Sequence, residues 1–412
     1  MRGLAFARHF AALFFEIHVS FSICEKDRMP SMQTDQDRVI ASVRAAIEAI
    51  KNKQMVIMVD DEDRENEGDL VLAAECVTPQ HINFMAKEAR GLICLPLDPE
   101  YIDRLKLPIM SDSTRVVASK ETAFTFSIEA RDGISTGISA ADRARTVEVA
   151  IADGTTPEDI AVPGHIFPLK ARKGGVLERA GHTEGSVDIS KFAGYKGAAV
   201  ICEIMNDDGT MARMPDLEVF AKKHGMPIVA IADLIQYRLL HESTVEEVHR
   251  EKIQTSDGSV EAVVFRSSVD NLEHLALISG SSDFETKLVD VRVHTQSAIL
   301  DAFGDRKEGA GYRFQSGLDL LGKATPAAFI YLNQPQHSWI DDVKQLANDR
   351  NPKKEEKAPR PQDLRLHGIG AQIIRALGIQ KMRVHTSSPL VLKGLSGFGL
   401  EVVETNLINK SH

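Results

Sequence analysis

Between Met55 and Asp69 the chain passes from an unbroken apolar run, Met55-Val-Ile-Met-Val59, into Asp60-Asp-Glu-Asp-Arg-Glu-Asn-Glu-Gly-Asp69. The apolar run predicts a buried strand, and the acidic stretch a loop at its end. Carboxylates this dense repel one another, so a fold that keeps them needs a cation, an arginine or an electrophilic ligand to absorb the field. Two readings stand: a divalent-metal site, or a solvated acidic turn. The buried strand leading in favours the metal, as does the break at Gly68, where backbone can approach a ligand closely.

With 412 residues the chain can bury two cores. Its 59 acidic residues against 49 basic ones give a net charge of −10, which argues against nucleic acid as a partner. No apolar stretch is long enough to span a bilayer, which argues against a membrane protein. Cys24, Cys76, Cys94 and Cys202 form no CxxC pair and read as reduced thiols of a cytoplasmic protein. Residues 1–34 are set aside as a tail or an over-extended start. Arg2 and Arg8 among Phe, Leu and Ala faintly resemble a targeting segment, but His9, Glu16 and His18 interrupt it and no cleavage site follows.

From Asp35 the pattern is regular. Val39, Val43, Ile47 and Ile50 recur at helical spacing. Thr78-Pro79 predicts a helix start and Gly91 its close. Strands are expected at Leu92 to Leu97, around Phe124, Phe126 and Ile128, at Ala198 to Met205 and at Ile228 to Ile231. Ser139 with Asp142 starts a helix ending near Gly154, and further helices run from Asp216 to Gly225 and from Leu234 to Leu240. This is a mixed α/β unit over 35–241. A second α+β unit, 243–412, has strands at 262–266, 275–279, 288–293, 327–332, 382–385 and 400–403, and a helix at 370–377. The charged, Pro-rich stretch 350–361 reads as a solvated loop.

Three further segments of the first unit carry chemistry. Pro163-Gly-His-Ile-Phe-Pro168 sets His165 between turn-formers. Arg179-Ala180-Gly181-His182-Thr183 puts a cation and an imidazole before a helix expected to start at Thr183, a ready anion site. Glu203 follows Cys202 on an otherwise apolar strand, where an acid is either partnered or catalytic. Each is weak alone. Together they supply a metal carboxylate, a phosphate cradle and two acid–base groups, a set suited to enolising a phosphorylated sugar.

Asp60 to Leu70, Gly137-Ile-Ser-Ala-Ala-Asp-Arg143, Pro163 to Pro168, Gly174-Gly-Val-Leu177, Arg179 to Glu184 and Asn206-Asp-Asp-Gly-Thr-Met-Ala-Arg213 closely resemble the 3,4-dihydroxy-2-butanone 4-phosphate synthase family of riboflavin biosynthesis. The resemblance runs in order over 36–240. It implies a lyase that converts D-ribulose 5-phosphate to the four-carbon phosphate and formate. It also implies Mg²⁺ on Glu65 and His182, and substrate held by Arg64, Glu65, Asp69, Arg179, Ala180, Gly181, His182, Thr183 and Glu203. His165 and Glu203 would be catalytic, in a homodimer with the site near its interface. By donor chemistry alone an imidazole ligand points to manganese or zinc rather than magnesium; manganese stays open, and no zinc is expected. Ser111 to Glu121 departs from the family's Asn-rich pattern, and Cys94 stands where the family often has a cysteine.

The second unit resembles GTP cyclohydrolase II, to which this synthase is fused in many bacteria, through Val291-Arg-Val-His294 and His385-Thr-Ser-Ser-Pro389. That family needs three zinc-binding cysteines after the first of these strands. Here Thr295 to Asp305 has none, and no cysteine follows Cys202. Gln334-Pro-Gln-His-Ser338 replaces the expected Arg- and Gly-rich stretch, and His294, His337, His367 and His385 read as scattered surface residues. The expectation is a degenerate unit without cyclohydrolase activity. The alternatives are a bifunctional enzyme and a non-catalytic regulatory pseudoenzyme.

Overall fold

A computed structural model describes residues 35–408 apart from 63, 111–121, 256–257, 269–270, 281–283, 285–286, 306–308, 324, 335–338, 349–360 and 388–397. The 111–121 segment, the Pro-rich stretch from 350 to 360, and His337 therefore lie outside the described residues.

The first described element is α1 (Asp35–Lys51), whose Val39, Val43, Ile47 and Ile50 are buried on one face. The first sheet has seven strands: β1 (Val56–Val59), β2 (Gly68–Ala73), β3 (Cys94–Leu97), β4 (Ile128–Ala130), β5 (Ile160–Lys170), β6 (Ala199–Glu203) and β7 (Ile228–Ala230). Their order is β4-β5-β3-β6-β2-β1-β7. Around it lie α2 (Pro79–Phe84), α3 (Pro99–Arg104), α4 (Ala140–Ile151), α5 (His182–Phe192), α6 (Met214–His224) and α7 (Ile231–His241). Every residue of β1 and β2 is buried, because both lie inside the sheet. They pair antiparallel, with Met58 opposite Asp69 and Val59 opposite Gly68, so the acidic stretch joins two neighbouring strands.

Several expectations need correction. Gly68 is a strand residue, and the space a side chain would need there is filled by Leu217 of α6, 2.4 Å from an ideal Cβ. Its small size serves packing rather than approach to a ligand. The helix from Pro79 is capped by Thr78 as expected, but it widens into a π-turn over Met85–Ala89 and ends at Arg90, whose φ is +70°. Gly91 therefore does not close the helix. His165 lies within the 11-residue strand β5, but at an irregularity: β4 pairs at Ile166 and next at Ala161, and β3 pairs from Phe167, so the register passes over Val162 to His165 where Pro163-Gly164 suggested a turn. Phe124 and Thr125 make single bridges, and regular pairing begins only at Ile128. Helix α5 starts one residue early, at His182.

The second sheet has the order β14-β13-β11-β12-β10-β9-β8. Its strands are β8 (Val245–Thr255), β9 (Gly258–Ser267), β10 (Glu273–Ser279), β11 (Leu288–Thr295), β12 (Ala327–Leu332), β13 (Lys381–Thr386) and β14 (Glu401–Leu407). Helices α8 (Ala298–Phe303), α9 (Gly309–Leu321), α10 (Trp339–Asn348) and α11 (Pro361–Ala376) accompany it. The predicted helix at 370–377 is the last part of α11. The hairpin β8–β9 went unpredicted as a whole because β8 is exposed and charged, with Glu246, Glu247, Arg250, Glu251 and Lys252 along an edge strand. Helix α11 packs its Gly368 against Leu239 of α7, where an added Cβ would lie 2.4 Å from a leucine methyl.

Candidate active site

Strand register builds the floor of the site. Met58, Asp69 and Glu203 lie opposite one another on β1, β2 and β6, so their side chains share one face of the sheet. Helix α5 lies over that face, and Gly185 is what allows it close: a Cβ there would meet Met58 Sδ at 2.5 Å. The first turn of α5 therefore sits above the row. Its N-cap is Gly181, with no side-chain cap, which leaves first-turn N–H groups available to an anion.

His182 is the first residue of that helix. Its imidazole is buried, with Nε2 3.2 Å from the Met58 carbonyl and 3.9 Å from Asp69 Oδ1, and Nδ1 4.0 Å from Glu65 Oε2. Burial lowers its pKa, against the pull of Asp60, so the ring is held neutral and able to donate a lone pair. Asp60, Glu65 and His182 offer ligand atoms that all lie within 4.8 Å of one another, the one such group of three among the described residues. Asp60 also organises the loop. Its carboxylate accepts from the Glu67 and Glu65 N–H groups at 2.8 and 3.2 Å and from Arg64 Nη1 at 2.6 Å. Arg64 bonds Glu65 as well. Burial works against the Arg64 charge, but these two carboxylates outweigh it and raise its pKa.

Asp69 is the anomaly. It is 3% exposed and its Oδ1 has no hydrogen-bond partner. Burial first, then the fields of Glu203, Glu67, Glu65 and Asp60, push its carboxyl well above the usual range. Glu67 is raised for the same two reasons, burial and then Glu65. A buried carboxylate with an orphaned oxygen among four others is the arrangement that a bound cation would relieve.

Arg179 reaches Glu184 Oε2 at 2.7 Å and Thr122 Oγ1 at 2.9 Å. An ideal Cβ on Gly181 would lie 2.4 Å from Arg179 Nη1 and 3.2 Å from Arg64 Nη2, so both guanidinium groups flank this one residue. The structure thus brings Arg64, Glu65, Asp69, Arg179, Gly181, His182 and Thr183 to one end of α5, with Ala180 between. Glu203 joins through β6, its Oε2 accepting from the Leu92 N–H at 2.8 Å. That contact explains Gly91, where a Cβ would collide with the Glu203 backbone at 2.3 Å.

His165 stands apart. Its ring bonds Glu129, and β5 is two strands from β6, which puts it about 10 Å from the Glu203 strand. The sequence reading missed Asp60 as a third cluster member, Glu129 as the partner of His165, Thr122 and Glu184 on Arg179, and Gly91. Asp60 and Glu184 each lie inside a quoted motif. Glu129 and Thr122 left no signal, since register across the sheet makes those contacts.

In the second unit the position of the expected thiolates is occupied by a closed hydrogen-bond network. Asp301 accepts from His294 Nε2 at 2.8 Å, from the Ser297 N–H at 2.9 Å and from the Tyr331 hydroxyl at 2.8 Å. His385 Nε2 bonds Asp290 at 2.8 Å, and Arg383 joins the same oxygen at 3.1 Å. His294 and His385 are therefore paired interior groups, not scattered surface histidines. These donors do not fit a thiolate zinc site.

A sequence model described as 3,4-dihydroxy-2-butanone 4-phosphate synthase matches residues 44–237, and one described as GTP cyclohydrolase II matches 246–406. Riboflavin biosynthesis protein RibBA of Aquifex aeolicus is 46% identical over 372 residues, covering 88% of this chain and 91% of that protein. A 3,4-dihydroxy-2-butanone 4-phosphate synthase of Pseudomonas aeruginosa is 44% identical, covering 87% and 96%. The crystal structure of RibBX, a two-domain 3,4-dihydroxy-2-butanone 4-phosphate synthase from A. baumannii, superposes with a TM-score of 0.74 at 39% identity, over 90% of this chain and 99% of that one. The matches define a synthase of phosphorylated sugars, and the acid-lined sheet end under a helix N-terminus accords with one. The chain belongs to the 3,4-dihydroxy-2-butanone 4-phosphate synthase family of riboflavin biosynthesis. It is built in the two-unit form, with a GTP cyclohydrolase II-like second half.

Proposed function

We propose that residues 35–241 convert D-ribulose 5-phosphate to 3,4-dihydroxy-2-butanone 4-phosphate and formate with Mg²⁺ held by Glu65 and His182, and that residues 243–412 have no cyclohydrolase activity. The observation that carries this is the meeting of Asp60, Glu65 and His182 beside the orphaned oxygen of Asp69 at the N-terminus of α5. The donor set is mainly carboxylate oxygen, which suits magnesium, and its one imidazole admits manganese as a substitute. A divalent ion bound there supplies polarisation of the sugar's oxygen atoms.

The chain's own groups do the rest. The free N–H groups of the first turn of α5, with Arg64 and Arg179, grip the phosphorylated sugar through Arg179 to Thr183. Asp69 and Glu65 orient its hydroxyls. Glu203, fixed at one oxygen by the Leu92 N–H, and His165, oriented by Glu129, carry protons as the enediol forms, water leaves, the skeleton rearranges, and water adds back so that one carbon departs as formate. The separation of His165 from Glu203 within one chain supports a homodimer whose site is finished at the interface. Among the described residues no helix is long and apolar enough to cross a membrane. The three described cysteines are free and buried, in keeping with a cytoplasmic enzyme.

The test is formate release from ribulose 5-phosphate with magnesium, with and without EDTA, and again with GTP. Metal-dependent formate from the sugar alone is expected. No formate from the sugar would favour a regulatory pseudoenzyme, and formate from GTP would restore the bifunctional reading.

A further inference from the structure

Three residues of α11 at helical spacing, Arg365, Gly368 and Gln372, form one stripe turned toward the first unit. Gly368 permits contact with Leu239 of α7. Gln372 is buried and uses both ends of its amide. Its Nε2 donates to the carbonyls of Leu239 and Glu242, both at 2.8 Å, and its Oε1 accepts from the Thr244 N–H at 2.7 Å and the Thr244 hydroxyl at 2.9 Å. The Leu239 carbonyl is in the last turn of α7, where carbonyls lack helical partners, so the second unit caps a helix of the first. At the other end of the stripe Arg365 Nη1 donates to the Glu178 carbonyl at 2.9 Å. Glu178 is the residue before Arg179.

A second tether reaches the same stretch from α7. Arg238 Nη1 donates to the Gly174 carbonyl at 2.8 Å and pairs with Asp188 of α5 at 2.9 Å, while its Nη2 reaches Glu242 at 2.6 Å. Glu242 is itself bonded by Gln372. Residues 174–178, immediately ahead of the Arg179–Thr183 segment, are thus held at both ends by groups that the second unit touches directly or through one neighbour.

We propose that Arg365 is a positioning residue for the synthase reaction: through the Glu178 carbonyl it sets the placement of Arg179, and by this route the second unit tunes affinity for the sugar phosphate. This rests on Arg179 holding substrate, as proposed above. Arg365 touches no reacting atom, so its loss should weaken binding and spare chemistry.

The experiment measures KM and kcat for ribulose 5-phosphate in the full chain, with the thermal unfolding midpoint alongside. Arg365→Ala is expected to raise KM about three- to tenfold, with kcat within about twofold and the midpoint nearly unchanged, since the hydrogen bond to the Glu178 carbonyl is lost. Arg365→Lys, which restores a donor, should recover most of the loss. If Arg365→Ala does not fold, Arg365→Met keeps the packed stem and gives the same comparison. Unchanged KM in the Ala or Met variant, while Arg179→Ala raises KM, would overturn the positioning role and leave the site reading intact. A fall in midpoint that tracks KM and is not rescued by lysine also overturns it. Normal KM in Arg179→Ala would instead sink the site reading beneath it.

Discussion

Asp69 in the first unit and Asp290 in the second are 3% and 4% exposed, yet their carboxyl groups are displaced in opposite directions. Asp69 is raised by burial and by four neighbouring carboxylates. Asp290 is lowered: burial would raise it, but bonds from His385, Thr325 and Arg383 prevail. Asp301 follows Asp290, with His294 as the chief stabiliser against burial. Depth alone therefore does not decide what a buried acid is for; its company does. The first sheet keeps like charges together with an oxygen unsatisfied, at a cost in stability. The second sheet has satisfied its acids internally.

The largest expected effect is on turnover. Glu65→Gln and His182→Ala should each lower kcat on the order of a hundredfold or more, with circular dichroism unchanged, because each removes one of the proposed metal-binding side chains. Near-normal rates in either would remove the functional half of the contrast.

The next effect is on stability and has opposite signs in the two units. In EDTA, Asp69→Asn should raise the unfolding free energy by about 1 kcal/mol by relieving repulsion, while abolishing most activity. Asp301→Asn should lower it by about 1–3 kcal/mol, since it weakens three hydrogen bonds to a buried carboxylate, and leave kcat unchanged. If both substitutions destabilise equally under chemical denaturation, the two acids are not different in kind.

The same division predicts pH behaviour. Asp290 and Asp301 sit below their unfolded values, so their stabilising contribution is complete above about pH 4 and is lost as pH falls through the folded values. Asp188, at the first-unit tether, runs the other way. Burial lifts it to about 6 despite Arg238, so the folded state binds the extra proton and stability declines as pH rises from about 4 to 6. Asp188→Asn should flatten the slope of unfolding midpoint against pH in that window, and an unaltered slope would contradict the assignment.

The smallest effect concerns Gly91. Gly91→Ala should shift Glu203 by displacing its backbone and lower kcat severalfold. Full activity would mean that the Leu92–Glu203 contact is dispensable.

Much of this was written locally. The β1 strand, the α1 and α6 helices and the cap at Thr78 follow from spacing and end signals within a few residues. The membership of Glu65, Arg179 and His182 in one site followed from a resemblance of motifs rather than from pattern. What stayed hidden depends on register. Strand β2 is buried on both faces and opens with Gly68-Asp69, so it shows no alternation. Strand β5 carries Pro163-Gly164 where its register with β4 breaks, so the turn signal was real but the pairing on either side of it was not visible locally. The partnership of His165 with Glu129 and the hold of Arg365 on Glu178 join residues far apart in sequence, and no short window contains both members.

The unsatisfied oxygen of Asp69 has a consequence for the protein's lifetime. If the cluster takes up a divalent ion as proposed, binding to the folded state alone ties the folded population to free ion by mass action. A hundredfold excess over the dissociation constant would add about 2.7 kcal/mol. In a cell starved of magnesium such a protein would lose that margin as well as its rate, so a larger fraction would unfold and be cleared and abundance would fall with the ion supply.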